Sequence, residues 1–447
     1  QAFPGLPVVI GGIEASLRRF AHYDYWDDKV RRSILIDSGA DILLYGMGER
    51  SIVEVADALE GGLPIEQITY IAGSAYHTQE KPGCKILPSF EEISADKRLY
   101  AEAFMAQYRE TDAINGRALA QLQDGRNYVV VNPPAMPLTT REMDEVYALP
   151  YMRAPYGGYK EKIPAIEEIE FSITSCRGCF GACNFCALTY HQGRTIQVRS
   201  HESILEEAEL LTRQPNFKGY IHDVGGPTAN FRQPSCKEQL TRGVCRNRQC
   251  LAPKKCPNLV VSHEDYRQLL AKLRQVKGVK KVFVRSGLRY DYMMYDKDNR
   301  FFTDLLQYHV SGQLKVAPEH VVDRVLDKMG KPHAELYERF EQKFYDLNRK
   351  LGKEQYLVPY LMSSHPGSDM AAAVELACWL KERGIHPEQV QDFYPTPGTL
   401  STAMFYTGLN PRDMSEVYVP RSPREKRLQR ALLQWFVPKN APLVREA

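Results

Sequence analysis

Residues 175–186 read Ser-Cys-Arg-Gly-Cys-Phe-Gly-Ala-Cys-Asn-Phe-Cys, and they follow a strand-like run at residues 170–174. Within this stretch, Cys179, Cys183 and Cys186 have the spacing C-x3-C-x2-C. Thiolates are soft ligands that suit zinc and iron–sulfur clusters. Three thiolates on so short a loop predict a cluster that the protein holds at three of its irons. The fourth iron is then open to another ligand, as an open zinc position is in a catalytic site.

Cys176 leaves a second interpretation open. Counting it gives C-x2-C-x3-C-x2-C, which would complete all four corners of a cluster. That pattern is typical of an electron carrier or, with another metal, of a structural zinc site. Because Cys176 lies at the end of the strand-like run, before the loop turns, we predict that it is a spare thiol.

Strand-like and helix-like segments alternate after this loop, which predicts a parallel sheet wound in one direction. We expect a partial (β/α)6 barrel of the TIM type, in which the chemistry lies at the carboxyl ends of the strands. Unusual loops follow these ends, among them GGPTANF, RSGLRYD and SSHPGSD. The predicted strands are residues 170–174, 220–224, 282–286, 314–317, 356–361 and 389–394.

The first 132 residues predict a separate α/β domain with an open, mostly parallel sheet of the Rossmann type. Gly11-Gly12 and Gly46-Met47-Gly48 follow strands there, where a ligand would sit, but neither completes G-x-G-x-x-G and a tight turn is the simpler explanation. The predicted strands are residues 8–10, 41–45, 68–72 and 128–131, and the predicted helices are residues 52–59 and 97–109.

The rest of the chain divides by composition. A stretch rich in Pro, Gly and Tyr at residues 133–164 predicts a linker, in which Thr139 and Glu142 form a capping box at the start of a helix. We assign residues 165–437 to the barrel core and residues 438–447 to a tail.

Composition excludes several classes of protein. Of 447 residues, 43% are hydrophobic and 25% are charged, which is typical of a folded protein rather than a disordered one. The 58 basic and 55 acidic side chains nearly balance, so net charge does not indicate nucleic-acid binding. No apolar run approaches the roughly 20 residues that cross a bilayer. Because no secretion signal opens the sequence, we predict a cytoplasmic protein without membrane contact. The sequence begins at Gln1 close to a strand-like run, and we expect the natural chain and its first sheet to extend upstream.

Four cysteines form a second group in an insertion at residues 233–258: Cys236, Cys245, Cys250 and Cys256. Their spacings match no zinc motif closely. Four thiols within 21 residues nevertheless suit a second metal, either an iron–sulfur cluster or zinc, while reduced spare thiols are the alternative. Six lysines and arginines accompany them, which is compatible with plain solvation or with contact to a nucleic-acid backbone.

The chain resembles the radical S-adenosylmethionine (SAM) superfamily and, more closely, its YgiQ-type branch of uncharacterised proteins. The cysteine loop with an aromatic residue before the last cysteine carries the wider resemblance. The closer one rests on VVIGGIEASLRRFAHYDYWDDKVRRSIL, RGCFGACNFC, GGPTANF, RSGLRYD, LKVAPEH, YLVPYLMSSHPG and VQDFYPTP, which run almost from end to end.

This resemblance implies an enzyme in which Cys179, Cys183 and Cys186 hold a [4Fe-4S] cluster. The reduced cluster would cleave SAM to methionine and a 5′-deoxyadenosyl radical, which abstracts hydrogen from a substrate that the sequence does not identify. Electrons would come from a donor such as flavodoxin or ferredoxin. The implied SAM contacts are Phe185, Gly225, Gly226, Pro227, Ser286, Arg289, Glu319 and His320, with Pro227 in place of the glutamate of a GGE-like motif.

Two other functional classes are compatible with the sequence. One is a metal-dependent RNA-binding protein that uses the cysteine insertion and its basic residues. The other is an iron–sulfur electron carrier in which Cys176 is the fourth ligand.

Overall fold

A computed structural model describes residue 3, residues 5–161 and residues 163–447. The N-terminal part contains helices α1 (Gly12–Leu17), α2 (Ile34–Ser38), α3 (Glu49–Glu60), α4 (Phe90–Ala95), α5 (Lys97–Arg109), α6 (Thr140–Tyr147) and α7 (Pro164–Ile169). Its strands are β1 (Val9–Ile10), β2 (His22–Asp24), β3 (Lys29–Arg31), β4 (Ile42–Leu44), β5 (Ser74–Thr78), β6 (Lys85–Leu87), β7 (Leu119–Asp124) and β8 (Asn127–Val131).

The N-terminal sheet is open and α/β, as expected, but it is mixed rather than mostly parallel. Its strand order is β1–β4–β5–β8–β7–β6, and only the β1–β4 and β6–β7 pairs are parallel. The other three pairs are antiparallel. The short turn between β7 and β8 explains part of the difference, because two strands joined so closely can only pair as an antiparallel hairpin.

The strand predicted at residues 68–72 is wrong. That segment follows a short 3-10 turn, and the strand lies further on, at β5. Ile68 and Ile71 are nevertheless buried, where they pack with Val55 of α3. The apolar residues therefore indicated burial correctly, but a short apolar run does not distinguish a strand from a buried loop.

The C-terminal part carries the predicted alternation. Its strands are β9 (Ser172–Thr174), β10 (Cys176–Arg177), β11 (Gln197–Val198), β12 (Tyr220–Ile221), β13 (Asp223–Gly225), β14 (Lys281–Val282), β15 (Gln313–Glu319), β16 (Tyr356–Ser363) and β17 (Gln391–Asp392). Its helices are α8 (Ala187–Gln192), α9 (His201–Thr212), α10 (Gln239–Arg242), α11 (Glu264–Leu273), α12 (Tyr290–Tyr295), α13 (Arg300–Asp304), α14 (Asp323–Met329), α15 (Ala334–Leu351), α16 (Met370–Glu382), α17 (Leu400–Thr407), α18 (Pro423–Leu433) and α19 (Ala441–Glu446).

These strands confirm a partial barrel. Strand β9 pairs with β13, β12 with β14, β15 with β16 and β16 with β17, and every pair is parallel. A parallel bridge between Leu288 and Val316 joins the third strand position to the fourth. Strands therefore follow one another in chain order, and among the described residues no pairing connects β17 back to β9. The barrel is open on that side.

Helices cover the outer face of these strands and supply the largest apolar core. In α15, Tyr337, Phe340 and Phe344 form one buried stripe, which packs with Leu269 of α11 and with the strands. Full burial of each such side chain contributes about 1.5–3 kcal/mol. Further along, α18 packs against α16 and β16, so the segment before the tail is docked on the barrel. None of the helices in the described ranges is long and apolar enough to cross a bilayer.

Lowering the pH from about 7 to about 5 should destabilise the fold through His309, which ends a π turn at Leu305–His309. Burial lowers the pKa of His309 to about 4, and the hydrogen bond that its Nδ1 donates to the Val282 carbonyl opposes this only in part. The unfolded chain binds this proton near pH 6.5 and the folded chain only near pH 4. Stability is therefore complete above pH 6.5 and falls as the pH drops towards 4, by about 2 kcal/mol at pH 5 from this histidine.

The melting temperature, measured across the same pH range, checks this expectation. The His309→Gln variant should lose part of the pH dependence, because glutamine does not take up the proton. His77→Gln is the matched control, since His77 lies exposed on β5, and it should retain the wild-type slope. Equal slopes for the wild type and both variants would contradict the assignment to His309.

Candidate functional site

The cysteine loop lies between β10 and α8, with Cys186 at the N-cap of α8. Gly178 turns the chain into the loop at φ +83°, where an added Cβ would lie 2.3 Å from the carbonyl oxygen of Thr195. Gly181 has no room for a side chain, because an added Cβ would lie 2.4 Å from Nη1 of Arg289 and 3.3 Å from Sγ of Cys179. Glycine at both positions therefore lets the loop approach its neighbours closely.

Each of the first two cysteines of the motif has a polar partner from another loop. Sγ of Cys179 lies 3.3 Å from Oγ1 of Thr228, and Nη1 of Arg289 donates to Sγ of Cys183 at 3.2 Å. Burial is the main cause that raises the pKa of Cys186 to about 12, with smaller contributions from the neighbouring Cys183 and Cys179, and burial also raises the pKa of Cys179. Cys179 and Cys186 therefore stay protonated at neutral pH unless a metal ion displaces their protons.

Cys176 differs from the other three thiols of the loop. It lies on β10, is completely buried, and its Sγ donates to the carbonyl oxygen of Thr228 at 3.7 Å. Burial raises its pKa to about 11. Gly226 packs directly on it, since a Cβ at Gly226 would lie 2.5 Å from the Cys176 carbonyl oxygen.

Arg289 is a buried cation beside the loop, and Asp291 holds it. The guanidinium donates through Nε to Oδ1 of Asp291 at 2.8 Å and through Nη2 to Oδ2 at 2.5 Å. Burial alone would lower the pKa of Arg289, but the Asp291 carboxylate outweighs this and holds that pKa well above its ordinary value. Asp291 thus holds the guanidinium of Arg289 in a fixed position beside Cys183. Such bidentate pairs are among the strongest polar contacts in proteins.

The loop after β13 lies against the cysteine loop. The carbonyl oxygen of Gly225 accepts from the amide of Ser175 at 2.7 Å, and Gly226 contacts Cys176. Pro227 is half-buried directly before Thr228, the partner of Cys179. The structure thus brings Gly225, Gly226 and Pro227 next to the thiols.

Ser286 sits at the same edge, and Asp223 holds it. The Ser286 hydroxyl donates to Oδ2 of Asp223, and the amides of Arg285 and Ser286 donate to Oδ1 at 2.7 and 3.0 Å. Gly225 is close by, because its Cβ would fall 2.2 Å from the Ser286 hydroxyl oxygen. The hydroxyl is therefore oriented by the carboxylate before any ligand binds.

Glu319 and His320 end β15 in a buried environment. Glu319 has φ +69°, a left-handed conformation that costs energy for a side chain with a Cβ. Burial raises the pKa of its carboxyl group, while the charges of Lys331 and Arg289 oppose the shift. Burial lowers the pKa of His320 to about 3, and its Nδ1 accepts from the amide of Val322 at 3.1 Å.

Phe185 packs near the end of β16. Its ring lies edge-on to the ring of His365, with the centroids 6.1 Å apart. The neighbouring Asn184 lines a cavity of about 510 Å³, which also contacts Lys328, Arg412 and the insertion. Ligand pockets commonly have volumes of about 300–1,000 Å³. A space large enough for a small molecule thus opens beside the cysteine loop.

The cysteine-rich insertion packs on the same loop. Nε2 of Gln249 donates to Oδ1 of Asn184 at 3.0 Å, and the rings of Phe180 and Phe231 stack with centroids 3.7 Å apart, in a buried cluster that Cys250 joins. The cysteines of the insertion line one cavity of about 440 Å³: Cys236, Cys245, Cys250 and Cys256.

Two of the basic residues of the insertion have acidic partners. Arg246 contacts Glu110 at 3.1 Å, and Arg242 contacts Glu238 at 3.2 Å. The Arg246 contact ties the insertion to the N-terminal part of the chain.

Neither group of thiols is arranged as a finished metal site. Across the described residues, no set of three or more histidine, cysteine, aspartate or glutamate side chains has the geometry to hold a metal ion. The donor sets still fit iron–sulfur chemistry, because the four cysteines of the insertion line one cavity and the cysteine loop has a cation beside Cys183.

Several residues that shape this site were not predicted from the sequence. Thr228, Asp223 and Asp291 contact Cys179, Ser286 and Arg289. Each lies in or beside a stretch that the resemblance had marked, but only the fold shows which side chain it meets. One signal for the ion pair was present in the sequence: in RSGLRYD, Asp291 follows Arg289 by two residues.

The family comparisons identify the class of protein. A family model described as radical SAM N-terminal matches residues 1–172, and one described as a domain of unknown function (DUF3362) matches residues 388–447. The first match supports, over residues 1–172, the predicted resemblance to the radical SAM superfamily.

Close relatives identify the family. A UPF0313 protein of Clostridium botulinum (strain 657 / Type Ba4) is 58% identical over 100% of this chain, which covers 71% of that relative. One from Clostridium perfringens (strain 13 / Type A) is 56% identical over 100% of the chain, which covers 68% of it. The chain belongs to the UPF0313 family.

Two solved structures are more distant. The radical SAM methyltransferase TsrM from Kitasatospora setae, with tryptophan substrate and a SAM analogue bound, aligns over 88% of this chain at 16% identity and a TM-score of 0.46. The cobalamin-dependent SAM radical enzyme OxsB with aqua-cobalamin bound aligns over 96% at 11% identity and a TM-score of 0.48. This chain spans 57% of the first and 53% of the second.

Replacing Asp291 with Asn should destabilise the protein strongly, because it leaves the Arg289 guanidinium buried without a countercharge. Loss of one partner from a buried ion pair costs about 3–5 kcal/mol. Chemical denaturation of the wild type and the variant measures this. Asp298→Asn is the matched control, since Asp298 pairs with Arg300 on the surface, and its midpoint should stay at the wild-type value. A similar loss of unfolding free energy in both variants would show that burial does not make the Asp291–Arg289 pair more important for stability than a surface pair.

Proposed function

We propose that this protein is a radical SAM enzyme whose [4Fe-4S] cluster is held by Cys179, Cys183 and Cys186. The observation that carries the proposal is that two other loops bring polar side chains onto these thiols, Thr228 to Cys179 and Arg289 to Cys183. The positive charge of Arg289 offsets the negative charge of a thiolate-bound cluster. Gly181 keeps the space between Arg289 and Cys179 free of a side chain.

When bound, such a cluster supplies one electron to the sulfonium of SAM, which releases methionine and a 5′-deoxyadenosyl radical. The part of the protein is to bind and orient SAM and to keep water away from the radical. Gly225, Gly226 and Pro227 offer backbone carbonyls to the methionine amino group. That of Gly225 already accepts from Ser175, so the next two are the better acceptors.

The remaining contacts to SAM are assigned by position. Phe185 would lie beside adenine, and the hydroxyl of Ser286, which donates its proton to Asp223, would accept from a ribose hydroxyl. Glu319 is suited to the same region, since burial raises the pKa of its carboxyl group and favours a neutral donor. The substrate would enter through the cavity beside Asn184, and a flavodoxin or ferredoxin of the cytoplasm would supply the electron.

Single replacements in the cysteine loop test the ligand set. Cys179→Ala, Cys183→Ala and Cys186→Ala should each remove the electron paramagnetic resonance signal of the reduced cluster after anaerobic reconstitution. They should also reduce the release of 5′-deoxyadenosine from SAM to the background without iron. Cys176→Ala is the matched control, and it should retain both signals because its thiol is bonded to the Thr228 carbonyl.

The opposite result would decide against a three-cysteine site. Loss of the cluster in Cys176→Ala indicates a four-cysteine electron carrier. A wild-type protein with a full, reduced cluster that leaves SAM intact would exclude the enzyme.

We also propose that the insertion binds a second metal through Cys236, Cys245, Cys250 and Cys256. The four thiols line one cavity, and the amide of Cys256 donates to the carbonyl oxygen of Cys250 at 2.9 Å, which closes the loop between them. A metal would order this segment, because short loops with little core gain their order from such bonds.

Metal analysis of the reconstituted protein tests the second site. About eight irons per chain indicate two [4Fe-4S] clusters, and about four irons with one zinc indicate a structural zinc site. Cys250→Ser should lower the count to that of one cluster, while Cys378→Ser, at an exposed cysteine on α16, should not. Chelation should also expose Arg242 and Arg248 to trypsin. Four irons without another metal, or digestion that is equally slow with and without metal, would exclude the second site.

A further inference from the structure

Arg19 is a buried cation without a countercharge. The residue is 4% exposed, and no carboxylate in the described part of the chain forms an ion pair with it. Its Nη1 donates to the carbonyl oxygen of Ser16, but Nε has no hydrogen-bond partner. A buried charge without a partner carries a large desolvation cost. Some other interaction must therefore offset that cost when the protein works.

Two aromatic rings hold the Arg19 guanidinium in place. Its central carbon lies 4.3 Å from the ring centroid of Tyr45 and 4.0 Å from that of Tyr190. Such cation–π contacts are worth about 0.5–2 kcal/mol each. They fix the plane of the guanidinium but use none of its N–H donors, so Nε, which lies in that plane and has no partner, stays available to a ligand.

Arg19 lines a cleft between the N-terminal sheet and α8. The cleft has a volume of about 60 Å³, which is several times the space of about 10–15 Å³ that one water needs by the same measure. That volume matches a single phosphate or carboxylate group. It lies beyond the carboxyl end of β4, which is parallel to β1, and such strand ends are where open α/β sheets bind their ligands.

The charges around the cleft favour an anion. Arg194 also lines it, is 7% exposed, and leaves its own Nε without a partner. The carboxylate in the lining, Asp112, accepts from the amides of Ile114 and Asn115 at 3.0 Å rather than from an arginine. His191 faces the cleft as well, and burial lowers its pKa. Two arginines against one carboxylate leave the cleft positive at neutral pH.

We propose that this cleft binds the phosphate or carboxylate group of a small molecule, with the Arg19 guanidinium as the main contact. The site is separate from the cysteine loop and does not depend on SAM cleavage. The cleft coincides with one of the two positions where the sequence placed a possible ligand, because Gly46 of Gly46-Met47-Gly48 lines it.

Isothermal titration calorimetry of the full chain at constant ionic strength tests the proposal, with inorganic phosphate and acetate as the two probes. One of them should bind saturably, with one site per chain. Arg19→Met should weaken that binding about tenfold to hundredfold, the loss expected for charge-assisted hydrogen bonds. Arg98→Met is the matched control, because Arg98 is exposed on α5, and it should bind as the wild type does. Preference for phosphate indicates a phosphorylated ligand, and preference for acetate indicates a carboxylate.

The melting temperature without ligand separates a ligand contact from a structural arginine. Arg19→Met removes a buried charge without a countercharge together with two cation–π contacts, and because these effects oppose each other the melting temperature should change little. A fall of more than about 5 °C, or failure to fold, would show that Arg19 serves the fold and would overturn the proposal. Saturable binding that Arg19→Met does not weaken, or no saturable binding of either probe, would overturn it as well.

Discussion

The ion pair between Arg289 and Asp291 is the contact on which the arrangement of the site depends. Both side chains are buried, and their mutual attraction offsets the cost of removing two charges from water only while the bidentate geometry holds. Because the same guanidinium reaches the thiol of Cys183, the loop after the third barrel strand and the cysteine loop keep a fixed distance. Thr228 adds a second such link, through Cys179.

The sequence predicted those parts of the fold that depend on residues close together in the chain. Helix α5 has the predicted bounds, and the capping box of Thr139 and Glu142 is present at α6. Apolar periodicity and capping depend on residues a few positions apart, so one sequence contains them. The six barrel strands followed from the same alternation, and the handedness of parallel crossovers fixed their order.

What the sequence did not predict depends on contacts between distant segments. The antiparallel pairing of β7 with β8 follows from their short turn, but β5 also pairs antiparallel with β4 and β8, which no local pattern specifies. Likewise, Asp223 reaches Ser286 across more than sixty positions, and Arg19 meets Tyr190 only when the two parts of the chain dock. The cysteine motif located the site, but the side chains that tune it come from loops that folding brings together.

Helix α8 has a consequence for how distant parts of the protein communicate. It has six residues, so it is only about 9 Å long. One end begins at Cys186 and the other carries Tyr190 and His191, whose ring nitrogen lies 2.8 Å from the hydroxyl of Ser16. So short a rod has little internal freedom. A shift of one end would therefore be carried to the other, and if ligands at the two ends bound the two positions differently, thermodynamic linkage would make their coupling equal in both directions.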